Sequence, residues 1–381
     1  MIEESGIGAL TGNPVRVVFS DVIASVDPAA GGGFERVFVA PAWIDLQVNG
    51  YAGVDFNDPE APHDAIARAI GAIYATGVAR FYPTVITGSP ERMCGALRNL
   101  ADARERVPGG GSMAGFHVEG PYISAEDGPR GAHPRRWVRR PDIHEFHRMQ
   151  EAARGLIRIV TLAPEWPDAP RFIERVTEEG VVAAIGHTAA DAAHIAAAVS
   201  AGARMSTHLG NAAHSTIERR SNYIWEQLAE DRLAAGFIVD GMHLDAAFLK
   251  VALRAKGPGR AILVTDASQP AGAAPGRYRL GEHDVELTAG RRVVLAGTDR
   301  LAGSALSLDR AVANVMRIAG VPLADAVAMA TLNPARAAAL EGRLNGLAPG
   351  ERGDIVVFTL DGGAITVERT YAAGELVFSR F

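Results

Sequence analysis

A single cysteine stands in 381 residues, so no disulfide can form within the chain. That residue, Cys94, lies in the helical stretch Pro90-Glu91-Arg92-Met93-Cys94-Gly95-Ala96-Leu97, with no base nearby in sequence to make it a catalytic thiol. Lysine is nearly as scarce: only Lys250 and Lys256 occur, and arginine supplies almost all the positive charge. Any anionic group on a substrate must then be held by Arg, His or backbone N–H groups. A basic surplus is also missing. The net charge is −6, and without a basic stripe there is no source for the counterion release that drives nucleic-acid binding. No apolar run approaches the roughly 20 residues of a membrane-spanning helix. The acidic start, Met1-Ile2-Glu3-Glu4-Ser5, has no signal-peptide core. These absences lead to the expectation of a cytoplasmic protein with a small-molecule substrate and neither a nucleic-acid nor a membrane partner.

What is present is an ordinary enzyme composition, 48% hydrophobic and 22% charged. Residues 13–40 and 350–381 alternate short β-rich runs (Val15 to Phe19, Val37 to Ala40, Asp354 to Phe358) with turns such as Gly31-Gly32-Gly33. Each end is too short to fold alone, so residues 1–40 and 350–381 are expected to pair into one small β-sandwich domain. Between them, over 41–349, strand and helix alternate. Expected strands are Trp43 to Leu46, Phe81 to Thr84, Met113 to Val118, Ile157 to Leu162, Val181 to Ile185, Ala203 to Thr207, Ala234 to Val239 and Ala261 to Val264. Helices are expected over Asp64 to Thr76, Pro90 to Arg104, Asp168 to Glu179, Ala189 to Ala201, Ala246 to Lys256 and Leu306 to Ala319, with Ser89 and Thr188 as capping residues. This α/β pattern predicts a (β/α)8 TIM-type barrel, with a local hairpin near residues 277–300.

Four segments put a metal ligand or an acid/base group at the end of an apolar strand: Phe116-His117-Val118-Glu119-Gly120-Pro121, Ile185-Gly186-His187-Thr188, Thr207-His208-Leu209 and Val264-Thr265-Asp266-Ala267. Strand ends that converge on one rim of a parallel barrel make a metal hydrolase site. Glu119 is read as a ligand, because a charge is rarely buried without a strong reason. His187 and His208, one barrel unit apart at equivalent strand ends, are read as the other two. His117, on the same face as Glu119, is read as a neighbour that orients the ligands. Asp266 is placed to take a proton from the attacking water and return it to the leaving group. Gln47 and Asn49 stand where many metal hydrolases carry His-x-His. Neutral amides are poor ligands, so one divalent ion is expected with this pair beside it. Two imidazoles and a carboxylate suit Zn²⁺, and Fe²⁺, Co²⁺ and Mn²⁺ also fit.

At these residues the chain resembles the N-acetylglucosamine-6-phosphate deacetylases of the amidohydrolase superfamily. The resemblance runs from Pro41 to about Pro349. It includes Pro41-Ala42-Trp43-Ile44-Asp45-Leu46-Gln47-Val48-Asn49-Gly50, Val118-Glu119-Gly120-Pro121, Gly131-Ala132-His133-Pro134, Asn211-Ala212, Val239-Asp240-Gly241-Met242-His243, Leu301-Ala302-Gly303-Ser304 and Asn333-Pro334-Ala335-Arg336. The resemblance implies a barrel with a small β domain, one divalent metal on Glu119, His187 and His208, and Asp266 as the acid/base. It further implies that His133, Asn211, Ala212 and His243 contact the amino sugar and that Leu301, Ala302 and Gly303 line the pocket. Arg219 would bind phosphate, in the neighbouring subunit's site of a homodimer or higher homo-oligomer. The expected activity is deacetylation of N-acetylglucosamine 6-phosphate to glucosamine 6-phosphate and acetate. A different, possibly unphosphorylated, N-acyl amino sugar or N-acyl amine is the alternative. A cyclic-amide hydrolase is disfavoured by the missing His-x-His and the lack of a lysine suited to bridge two metals. The chain departs from the family pattern at Ala213-His214 and over Arg220-Ser221-Asn222-Tyr223-Ile224-Trp225, where Tyr223 and Trp225 would bring aromatic surface towards the pocket.

Overall fold

Eight strands lie side by side in chain order, every neighbouring pair parallel: Trp43–Val48, Val78–Ile86, Phe116–Glu119, Ile157–Leu162, Val182–Ile185, Met205–Ser206, Ala234–Ile238 and Ala261–Val264. This is the expected barrel, seen in a computed structural model that describes residues 1–29 and 36–381. The turn expected at Gly31-Gly32-Gly33 lies outside the described residues. Helices cover the outer face of such a closed sheet and its own side chains fill the inner one, which is why its strands are near-continuous apolar runs; Trp43–Val48 is buried along its whole length.

The first and eighth strands close the ring through a narrow seam. Val48 bridges Ala267, and the Asn49 N–H donates to the Ala267 carbonyl at 2.7 Å. Asp45 reinforces it. One carboxylate oxygen accepts from the Thr265 N–H at 3.2 Å and the Gln47 N–H at 3.3 Å, and the other accepts from the Thr265 hydroxyl at 2.6 Å. Burial nevertheless pushes the Asp45 carboxyl up to about 7, against those bonds.

The helices follow local signals where these are strong. Pro90–Arg106 starts with Pro90 in its first turn, and the Ser89 hydroxyl accepts from the Arg92 N–H at 3.2 Å. Thr188 is not a cap: the next helix is Ala192–Ser200, capped by Asp191, whose carboxylate accepts from the His194 N–H. The Thr188 hydroxyl instead donates to Glu165 at 2.5 Å. Four helices lie outside the expected set, Ile143–Ala152, Tyr223–Ala229, Leu323–Ala330 and Leu332–Ala337.

Both chain ends meet in one seven-stranded sheet, ordered Glu375–Ser379, Ala364–Ala372, Ile355–Asp361, Val37–Pro41, Ile2–Gly8, Pro14–Phe19, Ile23–Pro28. Every junction is antiparallel except Ile2–Gly8 with Val37–Pro41. Alternation gives it two apolar faces. Val39, Ile355 and Val357 join Val17, Phe19 and Tyr371 in a core of their own, whereas Val356 and Phe358 join the barrel core. Phe358 lies 5.5 Å from the Trp43 ring at the base of the first barrel strand. The hairpin expected near 277–300 is a three-stranded sheet, Gly276–Leu280, His283–Leu287 and Val293–Leu295, fixed by a cluster that includes Leu280, Val285, Ala302 and Ile86.

Candidate active site

His187, His208 and Asp266 each stand two residues beyond the last residue of a barrel strand, Ile185, Ser206 and Val264 respectively. All three have left-handed backbone, with φ of 51°, 27° and 49°. Non-glycine residues hold that conformation only where surrounding structure imposes it. Here the reversal directs each side chain into the barrel mouth, which Glu119 enters from the end of the third strand. Four groups separated widely in sequence thus share one pocket of about 700 Å³.

At its floor Glu119 Oε1, His187 Nε2 and His208 Nε2 form a triangle with sides of 3.1, 2.8 and 3.1 Å. His187 Nδ1 lies 2.9 Å from the Pro129 carbonyl, which must be met by an N–H, so its Nε2 carries a lone pair towards the other two atoms. His208 Nδ1 is buried without a partner. Three donors converging about 3 Å apart match the ligand set of one ion bound at roughly 2 Å. His133 is a further candidate: one donor atom each from Glu119, His133 and His187 lie within 4.8 Å of one another. His133 Nδ1, however, is 2.8 Å from the Thr87 hydroxyl, and the His208 contacts are the shorter ones.

Gln47 and Asn49 are engaged as donors. The Gln47 amide N–H₂ reaches both Glu119 Oε1, at 2.9 Å, and Asp266 Oδ1, at 3.0 Å. Asn49 donates to the same Asp266 oxygen at 2.7 Å. Asp266 is therefore oriented through Oδ1. Burial, and then the Glu119 charge, push its carboxyl up to about 6. Burial would also raise Glu119, but without a metal ion a proton on the Nε2 of either facing histidine turns that ring into a charged donor, which holds the carboxyl well below its usual range.

His117 touches none of the three converging atoms. Its Nδ1 meets the Leu46 carbonyl at 3.1 Å and its Nε2 the Thr161 hydroxyl at 2.7 Å, which continues to the Thr207 hydroxyl at 2.6 Å. Burial pushes this imidazole down to about 4, so it is neutral. It braces the backbone next to His208 rather than the ligand itself.

Among the other expected residues, His133, Asn211, Ala212, His243, Leu301, Ala302 and Gly303 all line the pocket. His243 Nδ1 is 2.6 Å from Asp240, leaving Nε2 for a ligand. Arg219 is exposed and does not line the pocket of its own chain. In the divergent segment Tyr223 is buried, and its hydroxyl accepts from the His214 N–H at 2.8 Å; Trp225 is 45% exposed on the same helix. Ala213 and His214 of this segment line the pocket, as do Ser215 and Thr216 after them, and His214 Nε2 is 3.2 Å from Glu126. Sequence reasoning missed Asp45, Asp127, His214, His283 and Arg300. Asp45 had a signal, since Asp45, Gln47 and Asn49 share one face of the strand.

The amidohydrolase family profile matches residues 38–377. The chain belongs to the amidohydrolase family. Its relatives refine the membership. The N-acetylglucosamine-6-phosphate deacetylase of Bos taurus is 36% identical over 375 residues, covering 96% of this chain and 89% of that protein. The N-acetylgalactosamine-6-phosphate deacetylase of Escherichia coli O157:H7 is 33% identical over 97% of this chain and 96% of its own length. Among solved structures, a mutant N-acetyl-D-glucosamine-6-phosphate deacetylase from Mycobacterium smegmatis, in complex with N-acetyl-D-glucosamine-6-phosphate, superposes with a TM-score of 0.88 at 32% identity over 98% of both chains. The Thermotoga maritima N-acetylglucosamine-6-phosphate deacetylase gives 0.85 at 25% identity, again over 98% of both. This amidohydrolase is a hydrolytic enzyme of the deacetylase type, with a buried Glu/His group able to hold a metal ion. No described helix is long and apolar enough to cross a membrane.

Proposed function

We propose that this amidohydrolase removes the acetyl group of N-acetylglucosamine 6-phosphate, giving glucosamine 6-phosphate and acetate. The observation that carries the reading is Asp266 held by Gln47 and Asn49 beside the Glu119, His187 and His208 triangle, in a pocket large enough for one sugar. The names of the relatives support the substrate. Glu119, His187 and His208 would hold one divalent cation, zinc by ligand preference, which when bound polarises the amide carbonyl and acidifies water.

The remaining steps belong to the chain's own residues. Gln47 and Asn49 fix Oδ1 of Asp266, so its other oxygen takes a proton from the attacking water as that oxygen adds to the carbonyl carbon. His133 is disposed to share the oxyanion's charge through an Nε2–H, whereas the Nδ1–H of His243 is taken by Asp240 and its Nε2 can accept from a sugar hydroxyl. Asp266 then returns the proton to the sugar nitrogen as the C–N bond breaks. Asn211, Ala212 and the Leu301–Gly303 turn line the space for the sugar.

The small β domain (1–40 and 350–381) is read as separate from the catalytic barrel (41–349), and the enzyme as a cytoplasmic homodimer in which Arg219 reaches the partner's pocket. Another hexosamine 6-phosphate is the second reading, favoured by the galactosamine-type relative. The deciding experiment measures acetate release from N-acetylglucosamine 6-phosphate, N-acetylgalactosamine 6-phosphate and N-acetylglucosamine with metal-replete protein. Preference for the first supports the proposal; silence on all three refutes it.

A further inference from the structure

The chain carries a net charge of −6, yet positive charge collects at the pole of the barrel opposite the catalytic mouth. A cavity of about 480 Å³ opens there, lined by Arg204, Arg232, Arg260 and Arg336 against one carboxylate, that of Asp231. Arg204 and Arg260 immediately precede the sixth and eighth barrel strands, Met205–Ser206 and Ala261–Val264, while Val182 and Ala234 of the lining open the fifth and seventh. His187, His208 and Asp266 lie beyond the far ends of three of these four strands. The cavity shares no lining residue with the catalytic pocket.

The ladder of the barrel spaces these arginines. The Ala234 N–H donates to the Arg204 carbonyl at 2.9 Å and the Ala235 N–H to the Arg260 carbonyl at 2.8 Å. The two residues thus flank the start of the seventh strand, about 10 Å apart across two strand spacings, a gap their side chains can close on a shared ligand. Arg336 comes from the helix Leu332–Ala337, which Asn333 pins across Arg260: its amide donates to the carbonyls of Pro258 at 2.6 Å and Ala261 at 2.7 Å.

The donors of this group are only partly used. Arg204 Nη1 donates to the Val199 and Ala203 carbonyls at 2.9 and 2.7 Å, and among the described residues neither Arg204 nor Arg336 has a carboxylate partner. Arg260 Nη2 meets Asp231 at 2.8 Å, but its Nε is buried without a partner. Behind the lining, the buried ammonium of Lys256 donates to the Glu230 and Leu233 carbonyls at 2.7 and 2.9 Å. Burial, and then the Arg260 charge, push that amine down to about 8. Three guanidinium groups from three separate elements suit an anion with several oxygens, each accepting from a different fork, which a phosphate group offers and a single carboxylate does not.

We propose that Arg204, Arg260 and Arg336 form a second anion site at this pole of the barrel, one that binds a phosphate group, free or carried on a small ester. Bound there, the anion ties together the starts of the strands that lead to His208 and Asp266.

The test titrates inorganic phosphate and glucose 6-phosphate, which has no amide to hydrolyse, by calorimetry into metal-loaded wild type, Arg204→Gln/Arg336→Gln, Arg336→Glu and, as a control on an arginine elsewhere, Arg98→Gln. All the substituted residues are exposed, so each variant should keep its phosphate-free melting midpoint near wild type. The catalytic pocket is intact throughout, so the binding that differs between wild type and the double variant belongs to the pole. That component should weaken by about 10- to 100-fold in the double variant and at least as much in Arg336→Glu, the range for losing hydrogen-bonded charges. Arg98→Gln should leave it unchanged. Millimolar phosphate should raise the melting midpoint of wild type more than that of the double variant. Tighter binding of glucose 6-phosphate in this component supports the site with an ester as its ligand, and tighter binding of inorganic phosphate supports it with the free ion. Affinities that are the same in wild type and the double variant, or that fall equally in Arg98→Gln, would overturn it.

Discussion

Replacing Asp266 with asparagine isolates proton transfer from everything else in the site. Gln47 and Asn49 both donate to Asp266 Oδ1, at 3.0 and 2.7 Å. An asparagine side chain can keep both bonds by presenting its carbonyl oxygen to them, which turns its N–H₂ towards the pocket. Shape, volume and anchoring therefore survive, while the group facing the water changes from proton acceptor to donor. The substitution should leave metal content and thermal midpoint near wild type and lower kcat by about 10²- to 10⁴-fold, equivalent to roughly 3–5 kcal/mol of barrier. Assays of acetate release, metal stoichiometry and melting on the same preparation check all three. Turnover within about tenfold of wild type, with metal retained, would refute the base role. The pH profile gives a second reading. Asp266 must be ionised to accept a proton, so the wild-type rate falls as pH drops through its pKa, which burial and Glu119 set at about 6. A cation bound at Glu119, His187 and His208 favours the carboxylate and moves that limb lower.

Other perturbations separate the metal from the scaffold. His187→Ala and His208→Ala should each lower metal occupancy at equilibrium, measured by elemental analysis after dialysis, and remove the stabilisation that added metal gives the wild type. Gly120→Ala forces a Cβ to within 2.1 Å of the Thr87 hydroxyl at φ of +88°. It should destabilise the fold by about 1–3 kcal/mol in a urea titration and displace the adjoining Glu119. Thr265→Val removes the 2.6 Å bond to Asp45 across the seam and should cost about 2 kcal/mol by the same titration. Because burial raises Asp45 to about 7, the folded chain holds its proton where the unfolded chain, with a carboxyl near 3.8, has lost it. Its contribution is complete below about pH 4 and is lost as pH rises through about 7, so Asp45→Asn should flatten the dependence of the urea midpoint on pH across that window.

Much of this arrangement was legible because parallel barrels write themselves in apolar runs. Ile157–Leu162 and Ala261–Val264 are strands at their expected bounds, and Ala246–Lys256 is a helix at its own. Glu119, His187, His208 and Asp266 were conspicuous as polar residues closing such runs. Ile143–Ala152 went unread although Phe146, Met149 and Ala152 form a buried stripe along it. The capping expectation at Thr188 failed because a threonine hydroxyl serves a distant carboxylate as readily as a local N–H, and only tertiary structure brings Glu165 to it. His117 was expected beside Glu119, but the partners of its ring, the Leu46 carbonyl and the Thr161 hydroxyl, come from other strands, which alternation along one strand cannot reveal. The left-handed turns at His187, His208 and Asp266 had no signal, since nothing in those residue types demands positive φ. Arg300 lay in an expected hairpin whose position over the pocket is decided by packing against Ile86.

The sheet built from both chain ends sets a timetable for synthesis. Val37–Pro41 leaves the ribosome early, yet its antiparallel partner Ile355–Asp361 is made only after the whole barrel. At about 5–20 residues per second, that interval is roughly 15–60 seconds. Throughout it, one edge of the strand stands open, and Phe38 lacks its stacking partner Phe358. Arg343 and Asp354, paired at 2.7 Å and fully buried, arrive at the end of the same wait, and Arg343 then clasps the Ala42 carbonyl at the foot of the first barrel strand. A chain interrupted between residues 343 and 354 can complete the alternation of the barrel but leaves this latch undone. A permutation that joined the two ends and opened a surface loop elsewhere would let the sheet form first, and should shorten the period in which the nascent chain is prone to aggregate.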